Sequence, residues 1–254
     1  MSLTLKEMES EIYPDKRWTA EEMSEKMNII HHMDCLTFMK RVPDDYFDLV
    51  LTDPPYELSK SEAGEGSLVS LGKFTKNGKL AEISDGFEVN NVLQECLRIT
   101  KKANMFIFCS NKQVSSIMKF GEDRGLYTTC LVWHKNNSAP FANGVWRGDI
   151  EFIIHIREKG AFFQGGASIK QKVTRMPTNP SEFGHPTEKP LKLIDKFLRI
   201  GADKHHKIFD PFLGSGTTAV ACKSLGLDWC GCELEADYVE IANKRLTQVQ
   251  GALF

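Results

Sequence analysis

The feature that most constrains the fold of this chain is a regular alternation near its end. An apolar strand is predicted over Lys207–Asp210, a glycine turn follows it, and a helix is predicted over Thr217–Leu225. A second strand over 228–233 and an amphipathic final helix complete the pattern. This order of strand, glycine turn, helix and strand is typical of a nucleotide-binding βαβ unit, whose two strands run parallel.

The rest of the chain also alternates between short apolar runs and runs with helical spacing. Thr19 followed by Glu22 predicts the capped start of a short helix. Further strands are predicted near 28–31, 47–52, 105–109, 130–133 and 150–156, and further helices near 92–99, 113–120 and 191–200. The alternation predicts an α/β fold with an open, mostly parallel, twisted sheet and helices on both faces.

The pattern is absent from the beginning of the chain and from two internal segments. We predict an N-terminal extension over 1–27 and one domain over 28–254. Inside this domain, 57–86 is rich in Gly, Ser and Lys and is predicted to be a loop that closes over a substrate. The segment 157–184, rich in Gly, Lys, Gln and Pro, is predicted to be an insertion or loop outside the core.

Composition restricts the class of protein. With 254 residues, of which 41% are hydrophobic and 26% charged, the chain can form one large domain with a sizeable core. No run approaches the roughly 20 apolar residues of a membrane span, and the first residues are acidic rather than signal-like. We therefore expect a soluble, cytoplasmic protein. The seven cysteines show no paired metal-ligand spacing, so no metal site is expected.

The formal net charge of -2 hides an asymmetry along the chain. Residues 1–60 carry 7 Lys and Arg against 13 Asp and Glu, whereas residues 133–207 carry 13 against 7. A polyanion is therefore expected to bind the later stretch. An ordinary solvated face is the alternative explanation of this mild excess.

The run DPFLGSGTT over 210–218 stands where a strand ends and a helix begins. Gly214 and Gly216 allow a sharp turn and the close approach of a ligand. No lysine follows the second glycine, so the run is not a phosphate-gripping P-loop. Glu233, at the end of the next strand, is placed to accept hydrogen bonds from ribose hydroxyls. Together these residues predict an adenosine-containing cofactor, although a glycine turn by itself can be purely structural.

A second motif, Asp53-Pro54-Pro55-Tyr56, directly follows an apolar strand. The two prolines restrict the backbone and hold the carbonyl of Pro54 in one direction. That carbonyl and the Asp53 carboxylate can accept both hydrogens of an NH2 group. Tyr56 offers a flat face on which an extruded base can stack. A plain turn is the alternative, but the position at the carboxyl end of a strand favours a ligand site.

The two motifs resemble the catalytic and cofactor motifs of the β-class amino DNA methyltransferases, in the permuted order that defines that class. The resemblance extends from about 28 to 246 and implies a Rossmann-like fold, S-adenosylmethionine as cofactor and double-stranded DNA as substrate. The run Met33-Asp34-Cys35-Leu36 is similar to the family's adenine-contacting segment, and 185–190 is similar to the segment near the methionine carboxylate. The implied catalytic residues are Asp53, Pro54, Pro55 and Tyr56, and the implied cofactor residues are Asp34, Cys35, Thr187, Lys189, Asp210, Phe212, Gly214, Ser215, Gly216, Thr217 and Glu233.

The resemblance also concerns the target. Family members with Asp at the first motif position mostly modify the N6 amine of adenine, and N4 of cytosine is the alternative. The segment 157–184 occupies the place of the family's target-recognition region, and its short length leaves open a contribution from the 57–86 loop or from a second subunit. The residues expected to contact nucleic acid are Trp133, Lys135, Lys159, Lys170, Lys172 and Arg175.

Two rival hypotheses remain at this point. A methyltransferase acting on RNA or on a protein glutamine uses similar chemistry, but such relatives usually begin the motif with Asn and place it after the cofactor glycines. A catalytically silent DNA-binding module could keep the same fold. The intact Asp53, Tyr56 and Glu233 argue against the silent module.

Overall fold

The computed structural model describes residues 16–55, 88–138, 146–178 and 188–249. Tyr56, Thr187 and the predicted loop over 57–86 lie outside the described residues. The strands of the described part are β1 Ile29–His32, β2 Leu49–Thr52, β3 Asn104–Cys109, β4 Tyr127–His134, β5 Ile150–Arg157, β6 Val173–Arg175, β7 Lys207–Asp210 and β8 Asp228–Glu233. Its helices are α1 Ala20–Ser24, α2 Cys35–Arg41, α3 Val89–Ile99, α4 Val114–Glu122, α5 Leu191–Gly201, α6 Thr217–Leu225 and α7 Ala236–Gln248. Within these ranges, no helix has both the length and the apolar composition needed to span a membrane.

The strands of the described residues form one 8-stranded sheet in the order β1-β8-β7-β2-β3-β5-β4-β6. The first five strands in this order, β1 to β3, are all parallel. Strand β5 is antiparallel to both of its neighbours, β3 and β4, and β6 is parallel to β4. The predicted mostly parallel sheet is therefore confirmed, with β5 reversed. As a result, the carboxyl ends of β1, β8, β7, β2 and β3 share one edge of the sheet with the amino end of β5. We call this edge the carboxyl edge.

The central strands send alternate side chains into two hydrophobic clusters, as the period of two in a strand requires. Val50 and Ile107 contribute to one cluster, together with residues of α2, α3 and α4. Leu51 and Phe106 contribute to the other, together with residues of α5 and α6. The predicted arrangement with helices on both faces is confirmed. Burial on both faces also explains why β3, whose residues are all buried, is apolar along most of its length.

The predicted boundary at residue 28 does not coincide with a boundary of packing. Met23 on α1 is fully buried, and Trp18 packs against the same cluster as α2 and α3. The predicted capping box at the start of α1 is confirmed. Residues 16–27 therefore belong to the fold, because their large apolar side chains cover part of its core.

The prediction that 157–184 lies wholly outside the core is wrong. The segment contributes the strand β6, which pairs with β4 at the edge of the sheet. Ile169 and Met176, on either side of β6, pack against the second cluster. A three-residue strand of alternating exposure has too short a pattern to be recognised from sequence.

Candidate active site

The two predicted motifs lie at neighbouring strand ends. Asp53 directly follows β2, and Asp210 is the last residue of β7. These two strands are paired and parallel, with Leu49 opposite Ile208 and Val50 opposite Phe209. The prediction that the proline turn and the glycine turn meet at adjacent strand ends is therefore confirmed.

The glycine turn has the sharply bent backbone that its sequence predicts. At Gly216 a second requirement, close packing, also calls for glycine. Gly214 and Gly216 have φ of 54° and 83°, which other residues rarely adopt. A Cβ added at Gly216 would lie 2.7 Å from the Cβ of Ala242 on α7. Gly216 therefore also permits the close packing of α7 against the start of α6, a requirement that the sequence analysis did not identify.

Glu233 connects the end of β8 to the glycine turn. Its Oε2 accepts a hydrogen bond from the Gly214 N–H at 2.8 Å, and its Oε1 accepts one from the Glu235 N–H at 2.8 Å. Burial raises the pKa of Glu233, although these backbone donors oppose the shift. Each carboxylate oxygen has a second lone pair, so the two backbone bonds leave acceptor capacity for ribose hydroxyls.

Asp210 holds the start of the same turn through a hydrogen bond. The residue is buried, and its Oδ1 accepts a hydrogen bond from the Phe212 N–H at 3.1 Å. Burial raises its pKa to about 7, against the opposing effect of the Thr218 hydroxyl and the Phe212 N–H. Phe212 is half-buried and packs against the first cluster.

Arg245 on α7 is a buried residue of this region that the sequence analysis missed. Its Nη1 donates to the Ser215 carbonyl at 2.8 Å, to Ser215 Oγ at 2.9 Å and to Thr217 Oγ1 at 3.1 Å. Its Nη2 forms an ion pair with Glu188 at 2.6 Å. The hydroxyls of two predicted cofactor residues therefore face α7. No local pattern reveals this contact, since Arg245 follows its partners in the turn by 28 and 30 residues.

Asp34 and Cys35 lie at the start of α2, directly after β1. Asp34 caps this helix, because its Oδ1 accepts hydrogen bonds from the Thr37 N–H at 2.8 Å and from Thr37 Oγ1 at 3.0 Å. The Cys35 thiol is buried, which raises its pKa. Because His32 is opposite Glu233 in the pairing of β1 with β8, the predicted adenine-contacting and ribose-contacting acids lie at adjacent strand ends.

Lys189 contacts the predicted catalytic motif directly. Its Nζ is 2.6 Å from Asp53 Oδ2 and 3.1 Å from Glu151 Oε2. Glu151 Oε1 is in turn 2.5 Å from Lys135 Nζ. We call Asp53, Lys189, Glu151 and Lys135 the ion-pair network. The structure thus brings Lys189, expected near the cofactor carboxylate, and Lys135, expected near a base, into contact with carboxylates around the catalytic motif.

The charges of the ion-pair network are mutually stabilised. Burial by itself would lower the pKa of Lys189, but Asp53 and Glu151 outweigh it and the pKa is raised. Burial would likewise raise the pKa of Glu151, but Lys189 and Lys135 outweigh it and the pKa is lowered. The carboxylate and the ammonium therefore remain charged at neutral pH.

Gln113 is the second buried residue that the sequence analysis missed. Its Nε2 donates to the Pro55 carbonyl at 3.1 Å, while its Oε1 accepts from the Ser110 N–H at 3.1 Å and from Ser110 Oγ at 3.0 Å. The side chain has no exposed surface. Gln113 therefore attaches the proline turn to the end of β3. The sequence offered one signal for this contact: Ser110 is a polar residue directly after the apolar strand β3, where a ligand site is expected.

The residues expected to contact nucleic acid do not form one surface. The prediction that Trp133 contacts nucleic acid is wrong. Its side chain is 1% exposed, its ring packs in the second cluster and its Nε1 donates to the Met176 carbonyl at 2.9 Å. We therefore assign Trp133 to the core. Lys159 lies far from Asp53 along the strand direction, because β5 ends with Arg157 opposite Asn104 at the start of β3. Lys159 lies at the edge opposite to the carboxyl edge.

Three of the predicted basic residues lie on or just before β6, namely Lys170, Lys172 and Arg175. Lys170 Nζ lies 4.3 Å from the centre of the Phe163 ring. The Lys172 carbonyl accepts a hydrogen bond from the Val132 N–H just before β6. Arg175 ends β6 opposite His134, the last residue of β4, and is exposed at the carboxyl edge. Of the six residues predicted to contact nucleic acid, Arg175 is therefore one whose charged side chain is exposed on the same edge of the sheet as Asp53.

Comparison with known proteins agrees with this geometry. The type II methyltransferase M2.LlaDCHI of Lactococcus lactis subsp. cremoris is 28% identical over 247 residues, 88% of this chain and 91% of the relative. The crystal structure of the M1.HpyAVI–SAM complex is 27% identical with a TM-score of 0.62, over 85% of this chain and 98% of that chain. The PvuII DNA methyltransferase, described as cytosine-N4-specific, shares the fold at a TM-score of 0.64 and 16% identity, over 89% and 87% of the two chains.

A family model for N6 and N4 methyltransferases, described as DNA methylase, matches residues 47–244. The match begins just before β2 and ends within α7, so it includes the catalytic motif, the glycine turn and Glu233. The chain therefore belongs to the N6/N4 family of amino DNA methyltransferases.

Proposed function

We propose that this chain transfers a methyl group from S-adenosylmethionine to the exocyclic N6 amine of adenine in double-stranded DNA, as a β-class enzyme that extrudes its target base. The observation that carries the proposal is the position of Asp53 beside the glycine turn at the adjacent ends of β2 and β7. A carboxylate that can hold an amine and a turn that can hold an adenosine are thereby next to each other.

The residues around the glycine turn fit S-adenosylmethionine. Glu233 retains acceptor capacity for ribose hydroxyls, and Asp34 stands at the adjacent strand end for the adenine. The turn itself contains no basic side chain, which suits a cofactor without phosphates. The similarity to M1.HpyAVI, solved as a complex with SAM, supports this assignment.

S-adenosylmethionine held by the glycine turn and Glu233 would supply a methyl group on a cationic sulfur to the lone pair of the amine, which would release one proton to solvent. Asp53 accepts a hydrogen bond from the amine and stabilises the positive charge that develops on its nitrogen. Lys189 holds the Asp53 carboxylate in place at 2.6 Å, and Gln113 holds the turn that follows it. An aromatic amine is a weak nucleophile, so this orientation and charge stabilisation supply the catalysis.

Adenine is favoured over cytosine by the first residue of the catalytic motif, which is Asp in this chain. The resemblance described above associates Asp at this position mostly with adenine. The geometry of one carboxylate and one carbonyl serves either amine, and the fold is shared with a cytosine-N4-specific enzyme. The choice of adenine therefore rests on the motif and not on the fold.

The carboxyl edge also carries a surface suited to extruded or unstacked bases. Trp146, which precedes β5, is 97% exposed and is followed by the exposed Arg147. Exposed aromatic and guanidinium groups stack on bases and contact phosphates. Together with Arg175, these residues define the DNA face of the proposed enzyme.

The test uses purified protein, S-adenosylmethionine and mixed-sequence duplex DNA, with the methylated nucleosides identified by mass spectrometry. We expect N6-methyladenine, and we expect Asp53→Ala to reduce its rate of formation by about 100-fold or more. Asp123→Ala, which removes an exposed acid paired with Lys119, is the matched control and should retain the rate. Formation of N4-methylcytosine would transfer the proposal to cytosine, and methylation of RNA or protein in parallel reactions, with none of DNA, would overturn it.

A further inference from the structure

Glu151 lies at the centre of the ion-pair network, although neither motif contains it. It is the second residue of the reversed strand β5, whose amino end reaches the carboxyl edge. Lys135 lies 2.5 Å from one of its carboxylate oxygens, and Lys189 lies 3.1 Å from the other. The Lys135 and Lys189 side chains are 18% and 8% exposed, so water screens these charges only weakly.

The network combines two ammonium groups with two carboxylates and is neutral as a whole. Within the four residues of the network, loss of Glu151 would leave two ammonium groups with one carboxylate, that of Asp53, and thus with one surplus positive charge. Poorly screened charges a few ångströms apart interact strongly, so this surplus would be felt at Asp53.

A surplus positive charge matters for the proposed function, on which this inference rests. During methyl transfer, positive charge leaves the sulfur and develops on the amine held by Asp53. An uncompensated ammonium beside Asp53 opposes this change and weakens the attraction between Asp53 and the amine. The same ammonium would have less effect on binding of the uncharged base.

We infer that Glu151 is a positioning residue of the methyl-transfer reaction. Acting through Lys189, it holds the ammonium against Asp53 and cancels the surplus positive charge that the two lysines would otherwise place beside the reacting amine. The effect belongs to the transfer step, because charge develops on the amine only there.

The experiment measures the single-turnover rate of DNA methylation at saturating S-adenosylmethionine and DNA, so that altered binding does not enter the rate. Glu151→Gln removes the charge and retains the shape, and we expect the rate to fall by about tenfold. The double variant Glu151→Gln with Lys135→Met is neutral again, and we expect its rate to lie within about threefold of the wild-type rate. Glu158→Gln, directly after the other end of the same strand, is the matched control and should leave the rate unchanged.

Circular dichroism confirms folding of each variant before the rates are compared. A Glu151→Gln rate equal to the wild-type rate, or a double variant no faster than Glu151→Gln, would overturn the inference. If Glu151→Gln does not fold, the double variant decides the question by itself, and a tenfold loss of its rate overturns the inference. A wild-type protein that methylates RNA or protein but not DNA would instead refute the proposed function.

Discussion

The two halves of the carboxyl edge are built from different kinds of contact. At the ends of β1, β8 and β7, carboxylates accept hydrogen bonds from nearby backbone N–H groups, as Asp34 does from Thr37. At the carboxyl ends of β2 and β4 and the amino end of β5, charged side chains pair with one another across long stretches of the chain, as Lys189 does with Asp53, 136 residues away. The proposed cofactor half, at the ends of β1, β8 and β7, is therefore held mainly by contacts within local motifs, with Arg245 as a contact from more distant sequence. The proposed target half, at the ends of β2, β4 and β5, depends on the assembled sheet.

This difference predicts how each half responds to substitution. Removal of a lysine from the proposed target half leaves buried carboxylates without that partner and should lower the free energy of unfolding strongly. The substitutions chosen in the proposed cofactor half should change it through the geometry of the turn or the protonation of Asp210. The following experiments test that contrast, from the largest expected effect to the smallest.

The largest effect is expected for Lys189→Met. It removes the cation that pairs with both Asp53 and Glu151, and breaking a buried ion pair from one side costs about 3–5 kcal/mol. Urea denaturation measures the free energy of unfolding. Lys192→Met, an exposed lysine in the first turn of α5 just after Lys189, is the control and should change this free energy by less than about 0.5 kcal/mol. Equal stability of the two variants would contradict the role of Lys189 in the network.

A pH-dependent effect is expected at Asp210 in the cofactor half. Its pKa is about 7 in the folded protein against an ordinary value of 3.8, so between these values the folded state binds a proton that the unfolded state releases. The stability contributed by this group is complete below the ordinary pKa and is lost as pH rises through 7. Asp210→Asn should therefore reduce the loss of unfolding free energy between pH 4 and 7, by at most about 4 kcal/mol.

Denaturation of wild type and Asp210→Asn at a series of pH values measures this difference. Asp237→Asn, an exposed acid on α7, serves as the control and should follow the wild-type pH profile. If the profile of Asp210→Asn also coincides with that of wild type, the protonation of Asp210 has no bearing on stability.

A smaller effect is expected for Gly216→Ala. The added methyl group must lie near Ala242, and the overpacking should cost about 1–3 kcal/mol beyond the backbone strain. Gly125→Ala is a matched control, because Gly125 has a similar φ of +68° with no atom near its Cβ position. The difference between the two variants in unfolding free energy isolates the packing of α7. No difference would show that Gly216 is required only for its backbone conformation.

The smallest effect concerns DNA. Arg175→Glu, at the carboxyl edge, should weaken DNA binding several-fold and reduce the salt dependence of the affinity by about one unit of slope. Lys159→Glu, at the opposite edge of the sheet, makes the same kind of charge change and should have little effect. Fluorescence anisotropy over a range of salt concentrations measures both. A larger effect at Lys159 would move the DNA face away from the carboxyl edge.

The strands and helices with strong local patterns were predictable. The predicted bounds of β7, α6 and β8 agree with the structure because apolar periodicity and glycine stops are local properties. The direction of β5 was not predictable, since an apolar run reads the same in a parallel or an antiparallel strand. That reversal carries Glu151 to the site, so the network that surrounds Asp53 was not predictable either.

The site residues divide in the same way. Glu233 and the glycine turn were identified from their spacing, because their contacts join the two strands of a single βαβ unit. Arg245 and Gln113 were missed because their partners lie on other elements. Trp133 was assigned to DNA by resemblance, but the face of β4 on which it stands directs its ring into the core.

By itself, the sequence determined the succession of strands and helices, the two motifs and their order along the chain. These follow from the spacing of residues that are close in the chain and from the conformational limits of glycine and proline. The tertiary structure decided which distant charges became partners of Asp53 and which basic residues shared its edge. Strand order and direction control both outcomes, because they determine which residues are brought within the few ångströms over which ion pairs form.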